Sequence, residues 1–269
     1  MKYAFSTLAC PSWTIAQVVD AALHMGYEAI ELRLLDGEII DPVADREKVK
    51  RAVSLCRTHG LEVCALDTSC RFNFSDPEER KQQVATLLNW IRLAQEVQVP
   101  HLRVFGGQES GRNGSTPSGD EENAWVAASL RSAAPEAEQA SVTIMLETHD
   151  AFSSARRVAT VLQAVHSPSV AALWDSHHPY RVGETVEEVI KVLGPYIALV
   201  HVKDARRVPG ESAWQLVLMG EGEVPVREQL KVLEQYGYNG YVSVEWEKKW
   251  HPEIAEPEVA LPQHIAWLK

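Results

Sequence analysis

Apolar and polar positions follow two different periods along this chain, and the two periods alternate. Short runs of apolar, often β-branched residues predict strands that are buried on both faces. Between these runs, apolar residues recur every three to four positions, which predicts helices with one apolar face. The first pair is a strand over residues 2–9 and a helix that begins at Thr14 and ends at Gly26. Such alternation is typical of repeated βα units.

The same pattern predicts eight strands, each followed by a helix. The strands cover residues 2–9, 27–33, 61–67, 101–105, 142–147, 170–175, 196–202 and 241–246. Eight βα units close a parallel barrel, and 269 residues is an ordinary length for one. We therefore predict an α/β fold, a (β/α)8 TIM barrel, as a single domain over residues 1–269. The polar stretches 108–120 and 203–223 are predicted as loops of that barrel.

The competing α/β fold is an open, doubly wound sheet. That fold commonly carries a glycine-rich phosphate turn after an early strand. The chain has neither a G-x-G-x-x-G nor a Walker-type motif, so the barrel is the favoured prediction.

Composition and charge narrow the classes of partner. The formal net charge of −11 argues against nucleic acid, whose phosphates it would repel in the absence of a local basic groove. No apolar run approaches the length that spans a membrane, and the first residues predict a strand rather than a signal peptide. The four cysteines form no C-x-x-C pair, which favours reduced, buried thiols in a cytoplasmic protein.

Four of the predicted strands have, at or one residue before their last position, a side chain that can ligate a metal, namely Glu147, Asp175, His201 and Glu245. Taken singly, each glutamate could be an ion-pair partner and the histidine a residue of the core. In a parallel barrel, however, all carboxyl ends of the strands meet at one face. Three carboxylates buried together need a cation, so the set favours a divalent-metal site. Carboxylates plus one imidazole suit Mn²⁺, Co²⁺, Mg²⁺ or Zn²⁺ without choosing among them.

The residues around these four strand ends resemble the motifs of a known group of barrels. The four motifs are Leu146-Glu147-Thr148-His149, Trp174-Asp175-Ser176-His177-His178, His201-Val202-Lys203-Asp204 and Ser243-Val244-Glu245-Trp246. They are similar to those of the xylose-isomerase-like TIM-barrel superfamily of sugar phosphate isomerases and epimerases. This group includes D-tagatose 3-epimerase, L-ribulose-type epimerases, inosose isomerases and dehydratases, and a 3-dehydroshikimate dehydratase. The similarity covers essentially the whole chain, and its motifs are specific for the superfamily but not for one member.

The resemblance implies a set of residue roles. Glu147, Asp175, His201 and Glu245 are expected to bind one divalent metal, with Mn²⁺ as the expected ion and Co²⁺, Mg²⁺ or Zn²⁺ as alternatives. The two glutamates are also the expected acid/base pair. His178 is expected to contact a substrate hydroxyl or carbonyl. The arginine that follows the histidine ligand in the epimerase motif corresponds to Arg207, which is expected to contact the substrate, although the adjacent Arg206 leaves the alignment of that motif open. Lys203 is expected either to reach the substrate or to lie in solvent.

These roles imply an isomerase or epimerase of carbohydrate metabolism, acting on a ketose or a cyclic polyol ketone by proton transfer through a cis-enediolate held by the metal. One carboxylate removes the proton next to the carbonyl, and the other returns it. If the enolate expels a β-hydroxyl, the same site is a dehydratase, a lyase of the inosose or 3-dehydroshikimate type. The acidic segment 220–223 is a poor phosphate cradle, which favours an unphosphorylated substrate.

Two further interpretations remain open at this point. An endonuclease IV-like nuclease would need additional histidines after the third and fourth strands, where the chain has 67–70 and 105–107 without one. A non-catalytic sugar-binding barrel would not need both glutamates, and fold alone never proves activity. The expected partner is a small sugar or polyol ketone, with no nucleic acid and no membrane. Many members of the superfamily are homo-oligomers, but nothing in the sequence identifies an interface.

Overall fold

A computed structural model describes residues 1–108, 119–211 and 213–269. Within them it has twelve strands: β1 (Lys2–Ser6), β2 (Ala29–Leu32), β3 (Leu34–Leu35), β4 (Glu38–Ile39), β5 (Glu62–Asp67), β6 (His101–Phe105), β7 (Thr143–Glu147), β8 (Val170–Asp175), β9 (Ile197–Val202), β10 (Asp204–Arg207), β11 (Trp214–Val217) and β12 (Tyr241–Val244). The nine α-helices of the same residues are α1 (Ile15–Met25), α2 (Arg46–Thr58), α3 (Pro77–Val97), α4 (Gly119–Ala140), α5 (Ala155–Val165), α6 (His177–Arg181), α7 (Val186–Leu193), α8 (Val226–Tyr236) and α9 (Pro257–Leu268).

Eight of these strands form a closed barrel in the order β1-β12-β9-β8-β7-β6-β5-β2. Each is followed by a helical segment, so the predicted (β/α)8 TIM-barrel fold is confirmed. The remaining four strands form two antiparallel hairpins, β3–β4 and β10–β11.

Residue contacts divide the chain into two compact units. The first comprises Met1–Ala65 and Val200–Lys269, and the second comprises Leu66–Leu199. In the first unit, β1 pairs in parallel with both β2 and β12, and Phe5 lies opposite Ile30 and Val244. In the second, β7 pairs in parallel with β6 and β8, and helices α3, α4, α5 and α7 pack in sequence. That residues 1–269 act as one domain stays a prediction.

Local sequence signals account for several helix ends. Thr14 and Gln17 form a reciprocal capping box at the start of α1, and Gly26 ends that helix with a left-handed φ of 82°. Both ends were predicted. Thr185 and Glu188 form a second capping box at the start of α7. These bonds satisfy backbone N–H groups that the first helical turn cannot pair by itself.

The largest difference from the sequence prediction lies in the segment 203–223, which was predicted as a loop. It contains the hairpin β10–β11, and the Asp204 carboxylate holds the base of that hairpin. Its two oxygens accept the backbone N–H groups of Ala205, Gly220, Gly222 and Val224 at 2.9 to 3.2 Å. A Cβ at Gly222 would come within 2.1 Å of Asp204 Oδ1, so only glycine allows this approach.

Smaller differences concern element ends. The first strand ends at Ser6 rather than at residue 9, because Thr7–Ala9 forms a 3-10 turn. The last barrel strand ends at Val244, so Glu245 lies one residue beyond it. The short helix α6 and the hairpin β3–β4 were not predicted. Most of the predicted loop 108–120 lies outside the described residues, and α4 begins at Gly119.

The interior contains all four cysteines, Cys10, Cys56, Cys64 and Cys70, as buried free thiols. Burial raises the pKa of Cys56 to about 11, so this thiol is neutral near pH 7. Both findings agree with the predicted reduced, buried cysteines. Among the described helices, none combines the length and apolar character needed to cross a membrane.

His264 in α9 is a fully buried histidine. Its ring lies 5.0 Å from the Trp246 ring, and its Nδ1–H donates to the carbonyl of Ala260. Burial lowers the pKa of this imidazole from 6.5 to about 4, because the charged form loses its hydration.

This burial predicts a stability change in mild acid. The unfolded chain takes up a proton on His264 near pH 6.5, whereas the folded chain does so only near pH 4. The stability associated with neutral His264 is therefore complete above pH 6.5 and is lost as the pH falls towards 4, by at most about 3 kcal/mol. Urea unfolding across this range should show a shallower pH dependence for His264→Gln than for the wild type.

The matched control is His24→Gln, since His24 lies exposed at the end of α1. It should follow the wild-type pH dependence. An unchanged slope in His264→Gln would contradict the assignment of this titration to His264.

Candidate metal centre

Glu147 is the last residue of β7, and its side chain is fully buried. On the neighbouring strand β6, Arg103 places Nη1 3.4 Å from Glu147 Oε2 and Nη2 4.0 Å from Asp67 Oδ2. Its guanidinium also lies 4.1 Å from the centroid of the Phe105 ring. Arginine remains charged at any physiological pH, so this contact favours the ionised form of Glu147.

Asp175 ends β8 and is likewise fully buried. Its Oδ1 accepts the backbone N–H of His177 at 2.9 Å, and its Oδ2 lies 3.5 Å from Nε2 of His178. The backbone of Asp175 is held by the Thr148 hydroxyl, which accepts its N–H at 2.9 Å and donates to its carbonyl at 3.1 Å. The short helix α6 thus brings the predicted substrate residue His178 beside Asp175.

A row of rings continues from His178. The His149 ring lies 4.5 Å from that of His178 and 4.8 Å from that of Phe105. His149 Nδ1 is 3.2 Å from Asp150 Oδ1, and this hydrogen bond holds the pKa of Asp150 below its usual value. Asp150 adopts a left-handed φ of 46°.

His201 lies in β9 and is fully buried, and each of its ring nitrogens faces a carboxylate. Nε2 is 3.0 Å from both carboxylate oxygens of Glu31, a buried residue of β2. Nδ1 is 3.4 Å from Oε1 of Glu245. The backbone N–H of Glu245 donates to the Val202 carbonyl at 3.1 Å, which ties the residue after β12 to β9.

Lys203 is 1% exposed, so it is not a solvated loop residue. Its ammonium lies 2.5 Å from Oε2 of Glu245 and 2.6 Å from Oε1 of Glu247. Two carboxylates around one buried ammonium satisfy much of its need for solvation. Glu245, like Glu147, therefore lies beside a buried cation.

The four residues predicted as metal ligands come together. Glu147, Asp175, His201 and Glu245 are all buried, and each offers one ligand atom within 4.8 Å of the others. Three carboxylate oxygens and one imidazole nitrogen make a hard donor set that fits a divalent cation such as Mn²⁺, Mg²⁺, Co²⁺ or Zn²⁺. Burial strengthens the argument, because close carboxylates away from water repel one another strongly without a cation.

The three residues predicted to bind substrate lie in different surroundings. His178 is beside Asp175, and Lys203 is beside Glu245. The Arg207 side chain is 67% exposed on β10, where it lies 4.0 Å from Glu223 and 5.2 Å from the Trp214 ring. A substrate role for Arg207 stays a prediction.

Four residues of this centre were assigned no role from the sequence: Glu31, Asp67, Arg103 and His149. Two of them carried a usable signal. Glu31 and Arg103 are charged residues within the apolar strands Ala29–Leu32 and His101–Phe105. A charge inside a barrel strand is costly, so it indicates a buried partner. Which partner it meets depends on neighbouring strands, which the pattern of one strand does not reveal.

A family model described as xylose isomerase-like TIM barrel matches residues 19–269. Among solved structures, the chain is similar to the IOLI protein with a binding zinc atom, with a TM-score of 0.81, 18% identity and coverage of 99% of this chain and 94% of that chain. It is similar to the probable 3-DHS dehydratase AsbF from Bacillus anthracis, with a TM-score of 0.78, 18% identity and coverage of 100% and 98%. A D-psicose 3-epimerase in the presence of D-fructose gives a TM-score of 0.79, 13% identity and coverage of 99% and 98%. No curated protein matches the chain in sequence.

The donor set predicts the binding of one divalent ion per chain. Isothermal titration with Mn²⁺ should give a stoichiometry near one, and Asp175→Asn should lower the affinity by at least ~100-fold because a ligand oxygen is lost. The amide oxygen of the variant can still accept the His177 N–H, so the fold should be retained. Saturation at about 100 times the Kd should stabilise the wild type by about 2.7 kcal/mol.

Asp20→Asn is the matched control, since Asp20 is an exposed residue of α1. Its Mn²⁺ affinity should equal that of the wild type. A stoichiometry of three would instead favour a multi-metal centre, and unchanged affinity in Asp175→Asn would remove that residue from the ligand set.

Proposed function

Because the chain belongs to the xylose isomerase-like TIM-barrel family, we propose that it is a divalent-metal-dependent isomerase or epimerase. Its substrate is a small ketose or cyclic polyol ketone. The observation that carries the proposal is the buried group of Glu147, Asp175, His201 and Glu245, in which two members are glutamates with the chemistry of an acid/base pair. Mn²⁺ is the first ion to test, followed by Co²⁺, Mg²⁺ and Zn²⁺.

The proposed reaction begins at the carbon next to the substrate carbonyl. One glutamate takes the proton, the C–H electron pair forms a C=C bond, and the carbonyl electrons move onto oxygen to give a cis-enediolate. The other glutamate, which enters the step protonated, then donates its proton to carbon, and proton exchange with solvent restores the starting forms of both side chains. Delivery to the opposite face of the same carbon inverts it, which is epimerisation. Delivery to the neighbouring carbon, with transfer of the hydroxyl proton to the former carbonyl oxygen, moves the carbonyl, which is isomerisation. When bound, a divalent ion supplies Lewis-acid stabilisation of the charge that develops on oxygen.

The surroundings of the two glutamates support this role. A general base must be ionised, and buried carboxylates resist ionisation unless a charge lies nearby. Arg103 provides that charge for Glu147 at 3.4 Å, and Lys203 provides it for Glu245 at 2.5 Å. Each glutamate therefore has a nearby cation that stabilises its ionised form, which is the form that accepts a proton.

Other residues are assigned to binding. His178 is proposed to hydrogen-bond a substrate hydroxyl or carbonyl from its place beside Asp175. Lys203 is proposed to contact the substrate while it holds Glu245, and Arg207 is the less supported candidate because of its exposure. The segment 220–223 is acidic, and Glu223 already pairs with Arg207, so an unphosphorylated substrate is favoured.

A dehydratase is the alternative outcome of the same first step. If a hydroxyl lies β to the carbonyl, the enolate can expel it as water instead of recapturing a proton. Because the chain is similar in structure to the probable 3-DHS dehydratase AsbF, the experiment below includes a dehydratase substrate.

Proton NMR in D₂O separates these outcomes. The Mn²⁺-treated protein is incubated with ketoses, inososes and 3-dehydroshikimate. The Mn²⁺ is then removed from the reaction mixture before spectra are recorded. We expect deuterium at the carbon next to the carbonyl of one ketose, together with signals of a new sugar. A new olefinic or deoxy signal would move the assignment to a dehydratase, and unchanged spectra for the whole panel with all four metals would contradict the proposal.

Glu147→Gln tests the acid/base assignment. The amide cannot take up the proton, so turnover should fall by at least ~100-fold while the sugar still binds, as measured by calorimetry. Glu187→Gln, an exposed change on α7, is the control and should keep wild-type turnover. Full turnover in Glu147→Gln would show that its assigned role is wrong.

A further inference from the structure

A buried carboxylate outside the four proposed ligands lies against His201. Glu31 is fully buried in β2, and both of its oxygens are 3.0 Å from His201 Nε2. We propose that Glu31 is a positioning residue that fixes the tautomer and the ring orientation of His201, so that Nδ1 is the atom presented to the metal. The inference rests on the proposed function, because it assumes that His201 is a metal ligand.

The backbone of Glu31 leaves its side chain little freedom. Its neighbours Ile30 and Leu32 are fully buried, and Glu31 lies opposite Ser6 in the parallel pairing of β2 with β1. A carboxylate in such a position cannot reach solvent and must find a donor inside the protein. The donor is the Nε2–H of His201, which is 170 residues away in sequence.

The two contacts of 3.0 Å between Nε2 and the Glu31 oxygens indicate which nitrogen of His201 carries the proton. An ionised carboxylate has no proton to donate, so the donor in this contact is Nε2–H and Nε2 carries the proton. An N–H that is shared between two oxygens keeps one edge of the ring against the carboxylate, which opposes rotation of the ring. This arrangement leaves Nδ1 to face the other side, where it lies 3.4 Å from Glu245 Oε1.

The consequence for metal binding follows from the chemistry of imidazole. A neutral histidine can give a metal only the nitrogen that has no proton. With the proton held on Nε2, the lone pair belongs to Nδ1, the nitrogen next to another proposed ligand. A negative partner on the far nitrogen also makes the ring a stronger donor, and loss of such partners typically lowers metal affinity by about 10–100-fold.

Glu31 is better described as a partner of a ligand than as a ligand. The group whose ligand atoms lie within 4.8 Å of one another contains His201 and Glu245 but not Glu31. A purely structural ion pair in the core is the remaining explanation. It would affect stability alone, so the test needs a measurement that stability does not change.

The first measurement uses the metal-free wild type. Proton–nitrogen NMR of ¹⁵N-histidine-labelled protein, with His201 assigned by comparison with His201→Gln, should show a downfield, slowly exchanging Nε2–H. The same signal should persist after addition of one equivalent of Zn²⁺, with Nδ1 then shifted by the metal. A proton carried only by Nδ1 would overturn the inference without any Glu31 variant.

The second measurement compares Zn²⁺ and Mn²⁺ affinities of Glu31→Gln with the wild type by competition with a chelating dye. Glutamine has nearly the same shape and keeps an acceptor oxygen but has no charge, so affinity should fall about 10–100-fold while the thermal midpoint of the metal-free protein changes little. Glu38→Gln, on the exposed hairpin strand β4, is the control and should bind as the wild type does.

The outcomes separate this inference from the proposed function. A wild type that binds neither ion would overturn both. A wild type that binds, together with a Glu31→Gln variant of unchanged affinity, would overturn the role of Glu31 and leave the metal centre in place. If Glu31→Gln does not fold, the NMR measurement on the wild type decides the question.

Discussion

The burial of charge at the ends of parallel strands is the constraint on which this centre depends. A carboxylate removed from water is stable only beside a cation or a hydrogen-bond donor. Each buried acid meets that requirement through a residue outside its own strand: Arg103 for Glu147, the His177 N–H for Asp175, His201 for Glu31 and Lys203 for Glu245. The interior charges of each unit therefore also specify how its strands must align.

The two candidate acid/base glutamates do not have equivalent surroundings. Glu147 faces a planar guanidinium that is stacked on Phe105 and cannot lose its proton. Glu245 faces an ammonium that it shares with Glu247. A planar, delocalised guanidinium and a compact ammonium stabilise a carboxylate differently. The two glutamates should consequently differ in how readily they hold a proton, as successive donor and acceptor steps require.

Much of this arrangement could be predicted from the sequence, and the limits have a physical cause. The barrel and the four proposed ligands follow from periodicity and from the rule that parallel strands end at one face, and even Glu245 was found although it lies beyond its strand. The pairing of Glu31 with His201 joins residues far apart in the chain, and no local pattern encodes it. The hairpin β10–β11 was missed because its strands are short and polar, and because Asp204 organises it through backbone groups rather than through an apolar pattern.

The hydrogen bonds of Asp204 determine which part of this chain can change in sequence without disturbing the proposed ligands. The Asp204 carboxylate accepts hydrogen bonds from four backbone N–H groups and so closes the base of the hairpin, one residue after Lys203. The segment beyond that base contributes none of the four proposed ligands. Insertions, deletions or changes of charge in this segment can therefore accumulate in evolution without moving His201.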